Sequence, residues 1–481
     1  MPYRPTIGME VHAQLLTRSK MFCGCSADYW DAPPNSQVCP VDLGLPGALP
    51  VINAQAVEAT VLTGLALNCE IASVTRFDRK NYPYPDLPKG YQISQYDQPL
   101  CRNGWIEIEV GGEHRRVGIR RVHLEEDTAK LTHVEGCSLL DFNRAGVPLM
   151  EIVSEPDMHS VDEVREYVMQ LRSILRYLGV NSGDMEKGAM RFEVNVSVAP
   201  EGGRGTKVEI KNLNSFRAVT RSLEYEIARQ TRVLERGGRV EQVTMGWDED
   251  REVTFEQRSK EEAPDYRYFP DPDLPPLSLD PAWVDGLRAR LPELPRAKAK
   301  RYQREYGLSA YDAGVLTSER AVAEYFEAAV AAAPAGVDAK MISNWLTGEL
   351  FRLMRAQERS IEQVPVAPRD LVALLEMVAS GRLTGASGKQ VLEEMFATGR
   401  RPAEVVAARG LAQITDVEAL RPVVERVLDE NPGPLAEFLA GKEPVLRFLM
   451  GQVMRATRGQ ANPPLAERLI REAAEKRRGA G

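Results

Sequence analysis

Residues 7–15 read IGMEVHAQL, in which Ile7, Met9 and Val11 alternate with Glu10, His12 and Gln14. Side chains of a strand point to opposite faces in turn, so this period of two predicts a strand with one apolar and one polar face. Four further runs repeat the pattern. RRVHLEED (120–127) sets Arg121, His123 and Glu125 against Val122 and Leu124, and PLMEIVS (148–154) sets Leu149, Glu151 and Val153 against Met150 and Ile152. RFEVNVSV (191–198) sets Arg191, Glu193, Asn195 and Ser197 against Phe192, Val194, Val196 and Val198, and TKVEIKN (206–212) sets Lys207, Glu209 and Lys211 against Val208 and Ile210. Together they predict an antiparallel sheet packed on one face only.

Water alone can cover a polar face, and that reading stands for any single strand. Here, however, each of five strands supplies a glutamate and two add a histidine. Converging carboxylates repel one another unless a cation or basic side chains sit among them. Mg²⁺ takes hard oxygen ligands and bridges one or two carboxylates to substrate phosphates. Glu10, Glu125, Glu151, Glu193 and Glu209 are therefore read as a Mg²⁺–nucleotide platform, with Arg191, Lys207 and Lys211 available for phosphate charge. No G-x-x-x-x-G-K-[ST] stretch is present, which argues against a P-loop enzyme, and no G-x-S-x-G nucleophile motif occurs.

A second chemical signal lies in the cysteines. Cys23 and Cys25 are one residue apart, Cys39 follows after thirteen, and Asp42 closes the run CPVD, a layout that suits zinc with an aspartate as fourth ligand. Three reduced structural thiols are the alternative. Cys69, Cys101 and Cys137 sit in apolar or turn contexts and are read as packing residues. The stretch DRKNYPYPDLPKGYQISQYD (78–97) carries Pro83, Pro85 and Pro88, which fix φ and remove donors, so it is predicted to be an irregular loop.

A chain of 481 residues is too long for one core, and 43% hydrophobic with 27% charged residues is ordinary for a soluble protein. No apolar run approaches the roughly 20 residues of a membrane span, and the opening MPYRPTIGME lacks a signal-peptide layout, so a cytoplasmic location without membrane contact is expected. Period-two runs dominate the first part, and helical spacing dominates after about residue 295. The proline-rich stretch 271–295 marks the change, and ARGLAQITD (408–416) interrupts the helices. The predicted division is 1–293, 294–407 and 408–481. Net charge is −8, yet residues 441–481 hold nine Lys/Arg against four Asp/Glu, which leaves −13 for the remainder. A basic tail on an acidic body suits a polyanion partner.

In order along residues 5–275, IGMEVHAQLLTRSKMFCGCS, DRKNYPYPDLPKGYQISQYD, HLEEDTAKL, DFNRAGVPLMEIVSEPD, RFEVNVSV, TKVEIKNLNSFR and KEEAPDYRYFPDPDLPP resemble the B-type subunit of the aspartyl/glutamyl-tRNA amidotransferases. GQVMRATRGQANP (451–463) extends the likeness into the tail. The resemblance implies an α+β catalytic domain with a mainly antiparallel, glutamine-synthetase-like sheet, then an all-α helical domain and a small helical tail domain. It implies an ATP- and Mg²⁺-dependent ligase that phosphorylates the side-chain carboxylate of Glu-tRNA(Gln) or Asp-tRNA(Asn) and amidates it with ammonia. The ammonia comes from a glutaminase (A-type) subunit, and a small C-type subunit completes a heterotrimer.

Carried over by motif, Glu10, His12, Glu125 and Glu151, with Glu209, hold or border the metal, and Lys89 lines the phosphorylation site or ammonia path. Glu193 stands where the family commonly has aspartate, so its carboxylate reaches one methylene further. Asp42 stands where many members have a fourth cysteine, and Pro264 where a histidine is usual. In the tail, Arg455, Arg458, Lys476, Arg477 and Arg478 are expected to meet tRNA phosphates. A stand-alone amide ligase and a non-catalytic tRNA scaffold are the alternatives.

Overall fold

The computed structural model describes residues 3–259, 266–411, 413–414, 416–457 and 459–478, and Arg458 and Pro264 lie outside them. The chain forms two compact units, up to Leu294 and from Pro295 onward.

The first unit is built on a nine-stranded sheet. Its strands are β1 (Tyr3–Gln14), β2 (Glu70–Ile71), β3 (Cys101–Val110), β4 (Glu113–Glu126), β5 (Pro148–Ser154), β6 (Met190–Pro200), β7 (Val208–Leu213), β8 (Val243–Asp248) and β9 (Val253–Ser259). They lie in the order β9-β8-β7-β6-β1-β5-β4-β3-β2, which puts β1 in the middle. All neighbours run antiparallel except β7 and β8, which are parallel. The five runs read from period two are thus consecutive strands, β7-β6-β1-β5-β4.

One face of the sheet carries Ile7, Met9, Val11, Val122, Leu124, Met150, Ile152, Phe192, Val194 and Val196, all fully buried in the main core. Helices α1 (Ala54–Ala66), α2 (Val161–Tyr177) and α3 (Phe216–Glu235) contribute to that core. In α2, Ser160 accepts the amide of Glu163, Asp162 and Glu163 favour the positive helix start, and Val164, Tyr167, Val168, Leu171 and Leu175 recur at helical spacing on the buried side.

The opposite face is not left open, contrary to the expectation of a sheet packed on one side only. The stretch 78–97 is a pair of antiparallel strands, Asp78–Asn81 and Tyr91–Ser94, joined by the loop that holds all three prolines, and Phe269–Pro270 pairs with Asp78–Asn81. Proline forbids a strand only where a ladder donor is needed, and here the prolines are confined to the connection. Tyr82, Tyr96, Tyr266 and Tyr268 pack on one another beside it, with Tyr96 and Tyr268 stacked at 4.3 Å. Glu125, Glu151 and His123 are buried as a result.

The second unit is helical. AKMISNWLTGELFRLMRA forms Ala339–Asn344 and Phe351–Ala356 with a π-helical turn, Trp345–Leu350, between them. Gly385–Thr398 ends on Gly399 in the left-handed conformation at φ 71°, which glycine adopts at no steric cost. Two hydrophobic cores divide this unit, one spanning Tyr302 to Val406 and one spanning Leu420 to Ala474. The proline-rich stretch 271–295 contains one helix, Pro281–Ala289, because Asp280 caps it and Pro281 sits in the first turn, where no donor is needed. No described helix is long and apolar enough to cross a membrane.

Candidate active site

Strand register brings the predicted carboxylates together. His12 stands opposite Glu151 on β5 and Arg191 on β6, and Glu10 stands opposite Glu193. Glu151 in turn faces His123, Leu149 faces Glu125, and Asn195 faces Glu209. Because alternation is shared by all five strands, one correct register aligns the whole polar set.

Two groups result. His12, Glu125 and Glu151 form one, and Glu10, Glu193 and Glu209 the other; within each, the ligand atoms lie within 4.8 Å of one another. In the first, His12 Nε2 is 3.7 Å from Glu125 Oε1 and 3.5 Å from Glu151 Oε2, while His123 Nε2 is 3.5 Å from the same Glu151 oxygen. Ser94 Oγ, from the overlying strand pair, donates to Glu125 Oε2 at 3.2 Å. In the second, Asn195 Nδ2 donates to Glu10 Oε1 at 2.9 Å, Lys211 Nζ lies 2.8 Å from Glu193 and 3.5 Å from Glu209, and Thr244 Oγ1 donates to Glu209 at 3.1 Å.

The electrostatics are those of crowded anions. Burial, and then the charges of Glu151 and Glu193, push the Glu10 carboxyl up. Burial and Glu151 push Glu125 up as well, against the Lys80 ammonium. Glu151 is held well below the ordinary carboxylate range: burial opposes its charge, but the imidazoles of His123 and His12 and the Lys80 ammonium outweigh it. Burial disfavours charge on His12, yet its contact with Glu151 and the other carboxylates raises it to about 9. Burial lowers His123 to about 4, so His12 is the protonated imidazole at neutral pH.

This donor set fits divalent cations. Six carboxylate and imidazole groups converge, and Asn195 Oδ1, buried beside Glu10, has no hydrogen-bond partner among the described residues. A buried carbonyl oxygen without a donor is costly in protein alone and natural beside a cation. The oxygen-only group suits Mg²⁺ best, and the imidazole of the other group also admits softer ions.

The phosphate cations named from sequence are placed differently from one another. Arg191 Nη2 bonds Asp127 Oδ2 at 2.9 Å, Lys211 is engaged by Glu193, and Lys207 is exposed. Lys89 Nζ bonds Glu126 Oε2 at 2.7 Å. Glu126 points away from Glu125 by strand alternation, so Lys89 belongs to a separate cavity of about 310 Å³ that Asp42, Tyr91 and Glu126 also line. Sequence reasoning missed Lys80, whose field acts on Glu125 and Glu151 from the Asp78–Asn81 strand. It gave Arg121, His123 and Asn195 no role, although the same alternation carries them.

Cys23, Cys25, Cys39 and Asp42 also converge, with ligand atoms within 4.8 Å. Cys23 Sγ donates to Asp42 Oδ1 at 3.3 Å, the Cys39 amide donates to Asp42 Oδ2 at 3.0 Å, and the buried Lys20 ammonium lies 3.3 Å from the same oxygen. Gly146, at φ 84°, passes so close that a β-carbon there would meet Asp42 Oδ1 at 2.7 Å. Burial, then contact with Cys39 and the charge of Asp42, raises the Cys25 thiol to about 11 against the opposing hydrogen bond with Cys23; burial and Asp42 raise Cys23 further. A cation among these groups would reverse that cost, and the donor set fits zinc. Cys69 and Cys101 are buried, and Cys137 is exposed.

In the tail, Arg455 is exposed at the end of the Val445–Ala456 helix, and Lys476 and Arg478 are exposed in the last turn of Pro463–Arg478. Arg477 is tied to Asp429 at 2.6 Å.

Comparison with known proteins adds an independent line. A GatB/GatE catalytic domain model matches residues 5–285, and a GatB domain model matches residues 324–473. The B-type subunit of the aspartyl/glutamyl-tRNA(Asn/Gln) amidotransferase from Moorella thermoacetica is 54% identical over 98% of this chain and 100% of its own length. The proteins of that name from Roseiflexus sp. and Thermomicrobium roseum are each 55% identical, over 98% and 99% of this chain and 98% and 99% of their own.

Proposed function

Because the chain belongs to the B-type subunit family of the aspartyl/glutamyl-tRNA(Asn/Gln) amidotransferases, we propose that its polar sheet face is the kinase and amidation centre of a tRNA-dependent amidotransferase. The substrates are ATP and the side-chain carboxylate of Glu-tRNA(Gln), Asp-tRNA(Asn) or both. A glutaminase (A-type) subunit supplies ammonia, and a small C-type subunit completes the assembly. The observation that carries this reading is the convergence of Glu10, Glu193 and Glu209 beside His12, Glu125 and Glu151 on one sheet face.

The chemistry explains why such a face is needed. A carboxylate is a poor electrophile at neutral pH, so its oxygen first attacks the γ-phosphorus of ATP, the bond to the β-phosphate oxygen breaks, and ADP leaves. Ammonia then adds to the acyl phosphate carbon, the C–O bond to phosphate breaks, and a proton is lost to give the amide. Mg²⁺, when bound, neutralises charge on the transferred phosphoryl. Glu10, His12, Glu125, Glu151, Glu193 and Glu209 would hold it; Lys211 lies between Glu193 and Glu209 as their counter-ion. The tyrosine-rich roof over Glu125 and Glu151 excludes water that would hydrolyse the acyl phosphate. This division of labour is that of a glutamine-synthetase-like sheet.

The cavity with Lys89 and Glu126 is the entry for ammonia, Cys23, Cys25, Cys39 and Asp42 form a structural zinc site, and the exposed tail cations Arg455, Lys476 and Arg478 meet tRNA phosphates. The test uses the chain co-purified with its glutaminase and small partner subunits, each misacylated tRNA offered separately, and ammonium chloride in place of glutamine. Amide formation that needs ATP and Mg²⁺, and falls about 10²–10³-fold in Glu125→Gln and Glu151→Gln with tRNA binding intact, is the expected result. ATP turnover unchanged in both variants would return the polar face to solvated surface on a tRNA scaffold.

A further inference from the structure

The carboxylate face contains two cations whose donors no described residue takes up. Arg121, on β4, has a buried Nε with no hydrogen-bond partner among the described residues, and its ion pair with Glu151 Oε1 is 3.8 Å from Nη2, outside hydrogen-bond reach. Lys80, on the Asp78–Asn81 strand of the roof, has its Nζ 4.9 Å from the centre of the Tyr266 ring, and among the described residues it makes no hydrogen bond or ion pair. The contrast with its neighbours is sharp. Arg191, Lys211 and Lys89 each hold a carboxylate at 2.7–2.9 Å. Arg121 pairs across strands with Val153, which in turn faces Glu10, so Arg121 stands on the same polar floor as the carboxylates, beside Glu151. Lys80 sits on the strand paired with Tyr91–Ser94, whose Ser94 bonds Glu125, and its charge acts on Glu125 and Glu151.

A guanidinium and an ammonium kept near Glu125 and Glu151 with no side-chain hydrogen bond to any described residue leave charge-assisted donors available to an anionic ligand. We propose that Arg121 and Lys80 bind the phosphoryl group in transit, gripping its non-bridging oxygens from the sheet floor and from the roof. This rests on the phosphoryl-transfer reading given above. As the substrate carboxylate attacks and the bond to the β-phosphate breaks, the phosphoryl moves from ADP to the acyl oxygen while its peripheral oxygens keep their charge. Two fixed cations on opposite sides hold that charge throughout and contact neither the adenine nor the α-phosphate. Arg191, Lys207 and Lys211, the cations first named for phosphate, are then left to electrostatic support.

The experiment measures equilibrium binding of Mg²⁺-ADP and of a non-hydrolysable Mg²⁺-ATP imido analogue to the full chain in its amidotransferase assembly. Arg121→Met and Lys80→Met are expected to bind ADP within about twofold of the unaltered protein and the analogue at least tenfold more weakly, the scale of one lost charge-assisted contact. Arg121→Lys and Lys80→Arg keep the charge and change donor geometry, so they should weaken the analogue alone and by less. They carry the test if the methionine variants do not fold. Unchanged analogue affinity in all four variants would overturn the proposal, and so would equal loss of ADP and analogue. An unaltered assembly that binds neither nucleotide would instead sink the phosphoryl-transfer reading itself.

Discussion

Strands β7, β6, β1, β5 and β4 present two faces made of alternate residues, and the faces are ordered by opposite physics. The apolar face, with Phe192, Ile152 and Met9 wholly buried, stabilises the fold by removing hydrocarbon from water. The polar face gathers like charges, so that Glu10 and Glu125 are pushed above their ordinary range and Asn195 Oδ1 has no donor among the described residues. One face holds the sheet together, and the other is carried by it and is the face proposed above to take a cation and a phosphoryl group. Substitution should therefore separate stability from activity along a single strand, residue by residue.

The largest effect is expected on the apolar side. Phe192→Ala removes a ring packed beside Phe216, and should cost about 3–5 kcal/mol in urea unfolding. Retained stability there would mean that the sheet does not rely on that face. One step along β6 and across to β1, Glu10→Gln should do the reverse. It relieves repulsion from Glu151 and Glu193 and keeps an oxygen for Asn195 Nδ2, so the metal-free chain should gain about 1 kcal/mol while losing divalent-cation affinity. A metal-free chain weakened by Glu10→Gln would mean that the two faces are not opposed in this way.

Titration separates the faces again. His12 is raised to about 9 by Glu151 and its neighbours despite burial, so its ion pairing is fully present below the ordinary imidazole range and is lost as pH climbs through about 9. In EDTA, thermal unfolding of the unaltered chain should lose stability between pH 7 and 10 relative to His12→Asn. Parallel pH curves for the two would show that the imidazole is not held by the carboxylates. The smallest effect belongs to the tail, where the partly exposed Arg477–Asp429 pair should contribute no more than about 1 kcal/mol and Arg477→Ala should barely move the melting point.

Much of this was legible in the chain because period two is a local signal. Alternation put Glu10, Glu151 and Glu193 each on the polar face of its own strand, since a strand leaves no other choice, and the register between strands, which spacing does not carry, aligned them. Lys80 was not legible. It reaches the site from another element, and no spacing in DRKN tells that it lies above Glu125. The strand pair around the Pro83–Pro88 loop was missed for a related reason: the prolines dominate the composition of a stretch whose ends are free of them. Lys89 was expected to line the phosphorylation site or the ammonia path, and the Lys89–Glu126 bond turns it toward the other side of β4 from Glu125. Cys23, Cys25, Cys39 and Asp42 were legible as a group, whereas Lys20 beneath Asp42 was not, because a wholly buried lysine has no sequence signature.

Everything proposed for the polar face requires that it bind cations. A Mn²⁺ titration followed by electron paramagnetic resonance, with Mn²⁺ standing in for Mg²⁺, measures this on the unaltered assembly, on Glu125→Gln/Glu151→Gln and on Asp42→Asn. Saturable Mn²⁺ binding with fewer ions held by the glutamine double variant, and the full number kept in Asp42→Asn, is the result predicted. Mn²⁺ bound equally by all three proteins, or by none, would contradict it.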